Sequence, residues 1–413
     1  MITEKKWEER IRDPHAECMS EEERRILQGE KLRKLVKRVY GTVPFYTEKM
    51  KELGVEPGDI KSIEDITKLP FTTKDDLRDN YPFGFLAVPN EQVVRVQGTS
   101  GTTGKLTVMA YTQKDVDVWG ECVARCLTMA GGGHGNSHVS GKYETPVDVY
   151  GRFQCEATAF ACTPSYAMHL AEAMQEAGVV DKMKIKAAVC GAEPWTVEMR
   201  NKIEEILKIN CFDIYGLCEI SGPGVAMDCI HHEGLHIHSD FFYPEVLDPL
   251  THEPIKDGET GELVFTTLDK EAVPLIRYRT KDLTSMTHET CKCGRTTPRI
   301  SKFKGRTDDM KVIRGVNVFP TQVETALFGI GEVVPHYLLI IDREDNMDVL
   351  TVMVEVDEKF FSDEIRQLDA LRHRIGDVLK QALGISVRVK LVEPKTIERS
   401  EGKAKRVIDN RNL

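Results

Sequence analysis

Apolar positions along this chain follow two rhythms, and the rhythm changes at identifiable places. Between residues 21 and 40, Ile26, Leu27, Leu32, Leu35, Val36 and Val39 recur among charges at helical spacing, which predicts an amphipathic helix. From 160 to 265 short apolar runs alternate with helical patterns. KIKAAVCGAEP (184–194) is followed by a charged helix over 196–208 and then by NCFDIYG (210–216). Such alternation predicts an α/β core with its functional loops at strand ends. Segment 257–283, DGETGELVFTTLDKEAVPLIRYRTKDL, reads as turn, strand, loop and strand, a β-rich subdomain.

From 309 the pattern becomes compact. A strand (Met310–Ile313) is followed by a helix opened by Pro320, since proline suits the first helical turn. Two strands, HYLLII and DVLTVMVEV, flank the turn REDN. A long helix then carries Ile365, Leu368, Leu371, Ile375, Val378, Leu379 and Leu383 on one face, and SVRVKLV precedes a polar tail. This βαββαβ order predicts a separate small α+β domain.

Length and charge narrow the function. With 413 residues the chain has room for two or three domains. It carries 56 basic and 66 acidic residues, net −10, which argues against nucleic acid as the main partner. No apolar run reaches membrane-spanning length, and MITEKKWEERIRD is neither a signal nor a transit peptide, so the expected location is the cytoplasm. The 11 cysteines are scattered except for Cys291 and Cys293, which speaks against a disulfide framework. Cys155, Cys162, Cys190 and Cys211 lie among apolar neighbours and read as small buried side chains.

Two stretches suggest chemistry. VQGTSGTTGKLTVM (96–109) sets Gly98, Gly101 and Gly104 between two strand patterns, more glycine than a hairpin turn demands. Glycines let main-chain N–H groups crowd an anion, Ser100, Thr102 and Thr103 add hydroxyls, and Lys105 adds charge. The run departs from the common P-loop at Thr99 and Leu106, and read alone it serves a phosphate-binding and a flexible loop equally well. DCIHHEGLHIH (228–238) and TCKCG (290–294) bracket the β-rich segment, and Cys-x-Cys with distant Cys and His suits tetrahedral zinc. Cys229, Cys291 and Cys293 are the candidate thiolates; His231, His232, His236 and His238 are all open as the fourth ligand.

GTSGTTGK, FDIYGLCEISGPG (212–224), ELVFTTLDKEAVPLIRYRTKDL (262–283), KGRTDDMKVIRGVNVFPTQVE (304–324) and ERSEGKAKR (398–406) occur in that order. Together they resemble the adenylate-forming enzymes that make acyl-CoA thioesters. TPSYA, GAEPW, FYPE, IRYRT and RGVNVFPTQ bring the resemblance closest to the phenylacetate–CoA ligase family. It implies an α/β adenylate-forming fold, with a large N-terminal domain over 1–307 and a small mobile α+β domain over 308–413. It also implies adenylation of a small aromatic carboxylate by ATP with release of pyrophosphate, then transfer of the acyl group to CoA.

By that resemblance Thr99, Ser100, Gly101, Thr102, Thr103, Gly104 and Lys105 hold the β- and γ-phosphates, and Glu219 holds magnesium. Gly191, Ala192 and Glu193, with Asp213, Ile214, Tyr215 and Gly216, line the adenine side. Asp282 accepts both ribose hydroxyls, and Arg306 contacts phosphate or ribose. Lys403 matches the lysine that reaches the reacting carboxylate and α-phosphate, and Asp308 the hinge about which the small domain turns. Tyr166 and Trp195 are candidate walls of the acyl pocket, and both also read as core aromatics. His236 belongs to the pattern of zinc-containing family members, so the resemblance prefers it as the fourth ligand.

The segment between Met129 and TPSY is shorter than in family members, which removes part of the expected acyl pocket. Two alternatives stand beside the ligase reading: adenylyl transfer to a deazaflavin coenzyme, as in synthetases of the same fold, and, suggested by the shortened pocket, a nucleotide-binding relative with impaired catalysis. A homodimer is left open.

Overall fold

A computed structural model describes residues 10–98, 107–132, 158–307, 311–330, 332–344, 347–356, 365–398 and 406–411. The chain forms two compact units, one from 1–137 and 212–302, the other from 138–211 and 303–413.

The first unit opens with the helix Glu21–Val39, which starts where Ser20 and Glu23 cap each other's main-chain N–H groups. Its inner face buries Leu32, Leu35, Val36 and Val39, all at most 3% exposed, and Ile26 stays in solvent. The patterned run around the glycines yields Arg95–Gly98 and Val108–Tyr111, paired antiparallel. The helix Gln113–Met129 follows, capped by Thr112. The β-rich segment supplies three antiparallel strands, Phe242–Leu247, Gly261–Thr267 and Tyr278–Thr284. A second antiparallel set runs from Asn210–Leu217 through Gly222–Asp228 and Leu235–Ile237 to Arg299–Ile300. That order carries the sequence from 213 to 238 onto adjacent strands, which places Glu219 and the candidate zinc ligands in this unit.

In the second unit Ala159–Cys162 and Ala187–Gly191 pair in parallel, as alternating strand and helix patterns predict. The helices Pro164–Glu176 and Val197–Leu207 pack on them through Leu170, Met174, Met199, Ile203 and Trp195. Cys190 and Cys211 are fully buried there, whereas Cys162 is half-buried and Cys155 lies outside the described residues.

The C-terminal pattern forms a four-stranded sheet in the order Arg388–Val392, Met347–Val356, Val333–Glu344, Val407–Asp409. The helices Pro320–Phe328 and Ile365–Leu383 cover it, with Leu371, Ile375, Leu379 and Leu383 in the core. The polar tail differs from expectation, because Val407–Asp409 adds a parallel edge strand beside Leu339–Ile341. Three residues of mixed polarity carry no legible period; pairing with a long neighbour makes them a strand. A hairpin, Lys311–Ile313 with Val316–Val318, also precedes the Pro320 helix.

Candidate functional site

Glu219 sits at the tip of a hairpin. The strands Asn210–Leu217 and Gly222–Asp228 are joined by four residues, closed by N–H groups of Ile220 and Ser221 on the Leu217 carbonyl. The approach is so close that a Cβ on Gly216 would lie 1.9 Å from the Gly222 carbonyl oxygen. Gly222 has φ +122°, and a Cβ there would meet the Trp119 ring at 2.5 Å. Only glycine fits either position.

The Glu219 carboxylate is 5% exposed and faces Lys74 at 3.3 Å. Its main-chain carbonyl accepts from Lys270 Nζ at 2.7 Å, and Tyr111 Oη donates to the Cys218 carbonyl at 3.0 Å. A carboxylate oxygen is a hard ligand of the kind magnesium takes, and here Lys74 occupies its neighbourhood. Burial pulls the Lys270 ammonium down to about 8, against the opposing charges of Asp115, Glu219 and Cys218.

Asp282 lies in the strand Tyr278–Thr284, 6% exposed. Tyr215 Oη donates to its Oδ2 at 2.7 Å, so one carboxylate edge is oriented by a residue of the DIYG motif. The Asp213 N–H donates to Asp228 Oδ1 at 2.8 Å. Arg277, in IRYRT, forms a two-point ion pair with Glu245 of FYPE, at 3.1 and 2.9 Å, and stacks over the Phe71 ring at 4.0 Å. These two motif residues are tied to each other in the interior, where burial raises the Glu245 carboxyl pKa and Arg277 holds it down.

The second unit carries Gly191 at the end of its strand, then Ala192 with φ 70°, a backbone that a non-glycine residue rarely adopts. Glu193 Oε1 accepts from the Ser165 N–H at 2.6 Å at the start of the Pro164–Glu176 helix. Tyr166 stands on that helix with its ring 6.2 Å from His169, and Trp195 is 5% exposed within the core. Arg306 lies in the short strand Gly305–Arg306, half-buried. Thr99–Lys105, Asp308, Lys403 and the shortened segment from 133 to 157 lie outside the described residues.

The four candidate zinc ligands converge. The ligand atoms of Cys229, His236, Cys291 and Cys293 all lie within 4.8 Å of one another, and all four residues are buried. Cys229 and Cys291 sulfurs are 3.7 Å apart, too far for a disulfide at about 2.05 Å. Zinc–sulfur bonds of about 2.3 Å and a zinc–nitrogen bond of about 2.05 Å set tetrahedral edges near 3.8 Å for S···S and 3.5 Å for S···N. The observed edges are 3.7 Å and, from Cys293 Sγ to His236 Nε2, 3.5 Å.

His236 Nδ1 is engaged by Thr297 Oγ1 at 3.1 Å, which leaves Nε2 for the cluster. Burial lowers the His236 pKa, which keeps the imidazole neutral, its metal-ligating form. The three close sulfurs share protons, so contacts from Cys229 and Cys291 push the Cys293 thiol down while those two are raised. The other histidines point elsewhere: His231 is exposed, His232 pairs with Asp228 at 2.6 Å, and His238 Nε2 faces Cys126 Sγ at 3.6 Å.

Comparison with known proteins decides the family. A phenylacetate–coenzyme A ligase of Thermus thermophilus is 45% identical over an alignment of 442 positions, covering 96% of this chain and 99% of the relative. That of Escherichia coli is 42% identical over 96% of this chain and 97% of its own length. The chain belongs to the phenylacetate–CoA ligase family. Residues 315–411 match the AMP-binding enzyme C-terminal domain.

A crystal structure of 2-hydroxyisobutyryl-CoA ligase in the postadenylation state, with R3-HIB-AMP, matches with TM-score 0.89 at 28% identity, over 97% of this chain and 93% of that one. The same enzyme with 2-HIB-AMP and CoA, in the thioesterification state, matches with TM-score 0.70 at 29% identity, over 98% and 93%. The fold is therefore that of the adenylate-forming CoA ligases, as the motif order implies. The Thermus alignment is longer than the 413 residues of this chain, so that relative carries residues missing here.

Residue patterns alone did not single out Lys74, Tyr111 or Lys270. Lys74 opens a short polar helix and Lys270 lies in an irregular connection, so neither stands out by period. The usable signal for Lys270 was its place in LDKEAVPL, a charge beside an apolar run.

Proposed function

We propose that this protein is an AMP-forming ligase that activates phenylacetate or a close arylacetate with ATP and transfers the acyl group to CoA. The observation that carries this reading is the near full-length identity, 42–45%, with four phenylacetate–CoA ligases. The deazaflavin alternative gains no support from these relatives, all of which are CoA ligases.

Adenylation brings a carboxylate oxygen against an α-phosphate, and both are anionic, so the first demand on the site is positive charge. Glu219 would hold magnesium at the hairpin tip; the bound ion neutralises phosphate charge. Lys105 and the glycine-rich run supply further charge and N–H donors to the phosphates. Asp282, one edge fixed by Tyr215, is suited to accept ribose hydroxyls. By the family resemblance Gly191, Ala192 and Glu193, and likewise Asp213, Ile214, Tyr215 and Gly216, would serve adenine, and Arg306 phosphate or ribose. Tyr166 and Trp195 remain the candidates for the acyl wall.

Lys403 stabilises the charge shared by carboxylate and α-phosphate. The domain 308–413 then turns about Asp308, which admits CoA for the second step. Cys229, His236, Cys291 and Cys293 would hold zinc in a structural role, because three thiolates and one imidazole would fill a tetrahedral shell and leave no position for substrate. Free thiols suit a reducing cytoplasm.

A panel of aryl, arylacetic and aliphatic acids, scored by pyrophosphate release with and without CoA, tests the assignment. Arylacetates should lead, and CoA should be consumed in step with pyrophosphate. Tight ATP binding without pyrophosphate release on any acid would favour an inactive relative.

A further inference from the structure

Lys270 is 8% exposed, yet among the described residues it makes no ion pair within 4.0 Å. A buried ammonium that meets a neutral acceptor in place of a carboxylate opposes folding, and an apolar side chain would suit the position better. Its surroundings nevertheless hold it in place. Asp115, buried on the helix Gln113–Met129, accepts the N–H groups of Glu271 at 2.6 Å and Ala272 at 3.0 Å. Those two bonds fix the connection immediately after Lys270. The lysine then passes Met109 Sδ at 3.8 Å and the Tyr111 ring at 5.0 Å to reach the Glu219 carbonyl at 2.7 Å.

Tyr111 adds a second hold, on the Cys218 carbonyl at 3.0 Å. Two side chains from separate elements thus grip consecutive carbonyls of one four-residue turn. The N–H groups of Ile220 and Ser221 close the same turn on Leu217. A peptide plane held at its oxygen cannot rotate, so the Cα–Cβ direction of the residue in that turn is set as well.

We propose that Lys270 is a positioning residue for the magnesium site: its grip on the Glu219 carbonyl, supported by Tyr111 on Cys218, fixes the direction of the Glu219 carboxylate. This rests on the reading of Glu219 as a magnesium ligand. Lys270 itself touches neither metal nor nucleotide; it acts through the turn. A carboxylate that must be reoriented before it can ligate binds metal more weakly, even where the fold is intact.

The test measures Mn2+ bound to the enzyme–ATP complex by electron paramagnetic resonance, with no carboxylic acid present, for the full chain and for Lys270→Met, Glu219→Gln and the double variant. Lys270→Met should raise the half-saturating Mn2+ concentration about tenfold, and Glu219→Gln should raise it at least as much. The double variant should be no worse than Glu219→Gln alone, because one residue acts through the other. Magnesium half-saturation of ATP–pyrophosphate exchange should shift in parallel in Lys270→Met.

Wild-type Mn2+ binding in Lys270→Met, beside a clear loss in Glu219→Gln, would overturn the role of Lys270 and leave that of Glu219 intact. Losses that multiply in the double variant would also overturn it. Unchanged binding in Glu219→Gln would remove the magnesium reading, and the inference with it. If Lys270→Met does not fold, Tyr111→Phe removes the second hold while keeping the ring. A smaller rise in half-saturation, absent when Glu219 is Gln, is then the supporting result, and no rise is the overturning one.

Discussion

Replacing Cys293 by serine should unload the metal centre and loosen the unit that contains it. The cluster links two segments far apart in sequence, since Cys229 and Cys291 are separated by 62 positions. A metal that binds only the folded chain stabilises it by mass action, by about 4 kcal/mol when free zinc stands roughly a thousandfold above its Kd. In a unit of this size, a loss of about 4 kcal/mol lowers the melting temperature by roughly 10 °C.

The neighbourhood adds a second effect. Arg295 donates to Cys293 Sγ at 3.6 Å and to Glu17 at 2.6 Å, so the cluster also steadies the contact with the N-terminal helix Pro14–Cys18. Elemental analysis of the purified protein should give about one zinc per chain. Cys293→Ser should lower metal content and melting temperature together, and a strong chelator should bring the wild type to the same point. ATP binding by the folded fraction should survive, because the centre serves structure. Isolation of a folded, metal-free wild type with an unchanged melting temperature would refute this reasoning. Zinc retained after both Cys291 and Cys293 become serine would do so equally.

Lys403→Ala should slow adenylation on the order of 10²-fold or more, while thioester formation from preformed acyl-adenylate stays near wild type. Equal losses in both half-reactions, followed by rapid quench, would contradict the assignment. Asp308→Pro should slow the second half-reaction more than the first, because proline fixes φ where rotation is needed; an unaltered second step places the hinge elsewhere. Arg277→Met should cost about 3–5 kcal/mol in urea unfolding by leaving Glu245 buried and unpaired, and adding Glu245→Leu should recover much of the loss. A double variant less stable than Arg277→Met alone would show that the pair is not the source.

Local signals made much of the fold legible. The recurrence of Ile26, Leu32, Leu35, Val36 and Val39 announces a helix, Pro320 the start of another, and the apolar stripe from Leu371 to Leu383 predicts the face that packs on the C-terminal sheet. These patterns are legible because the causes lie within a few residues of the effect. Long-range pairings were less so. Arg277 reads only as part of the IRYRT motif, and its ion pair emerges once the fold brings Glu245 to it from another strand. Lys270 and Lys74 meet Glu219 from 51 and 145 positions away, with no period to mark either. The zinc quartet was legible because Cys-x-Cys is compact, but its histidine was not fixed by spacing. The strand Leu235–Ile237 turns His236 inward, and Cys126 occupies His238.

A two-step reaction ending in a thioester leaves a defined set of products. The purified protein is incubated with phenylacetate, ATP, magnesium and CoA, and the products are resolved by mass spectrometry. Phenylacetyl-CoA, AMP and pyrophosphate should form in equal amounts, with phenylacetyl-adenylate accumulating when CoA is withheld. AMP left covalently on the final product, or ATP bound without pyrophosphate release, would contradict it.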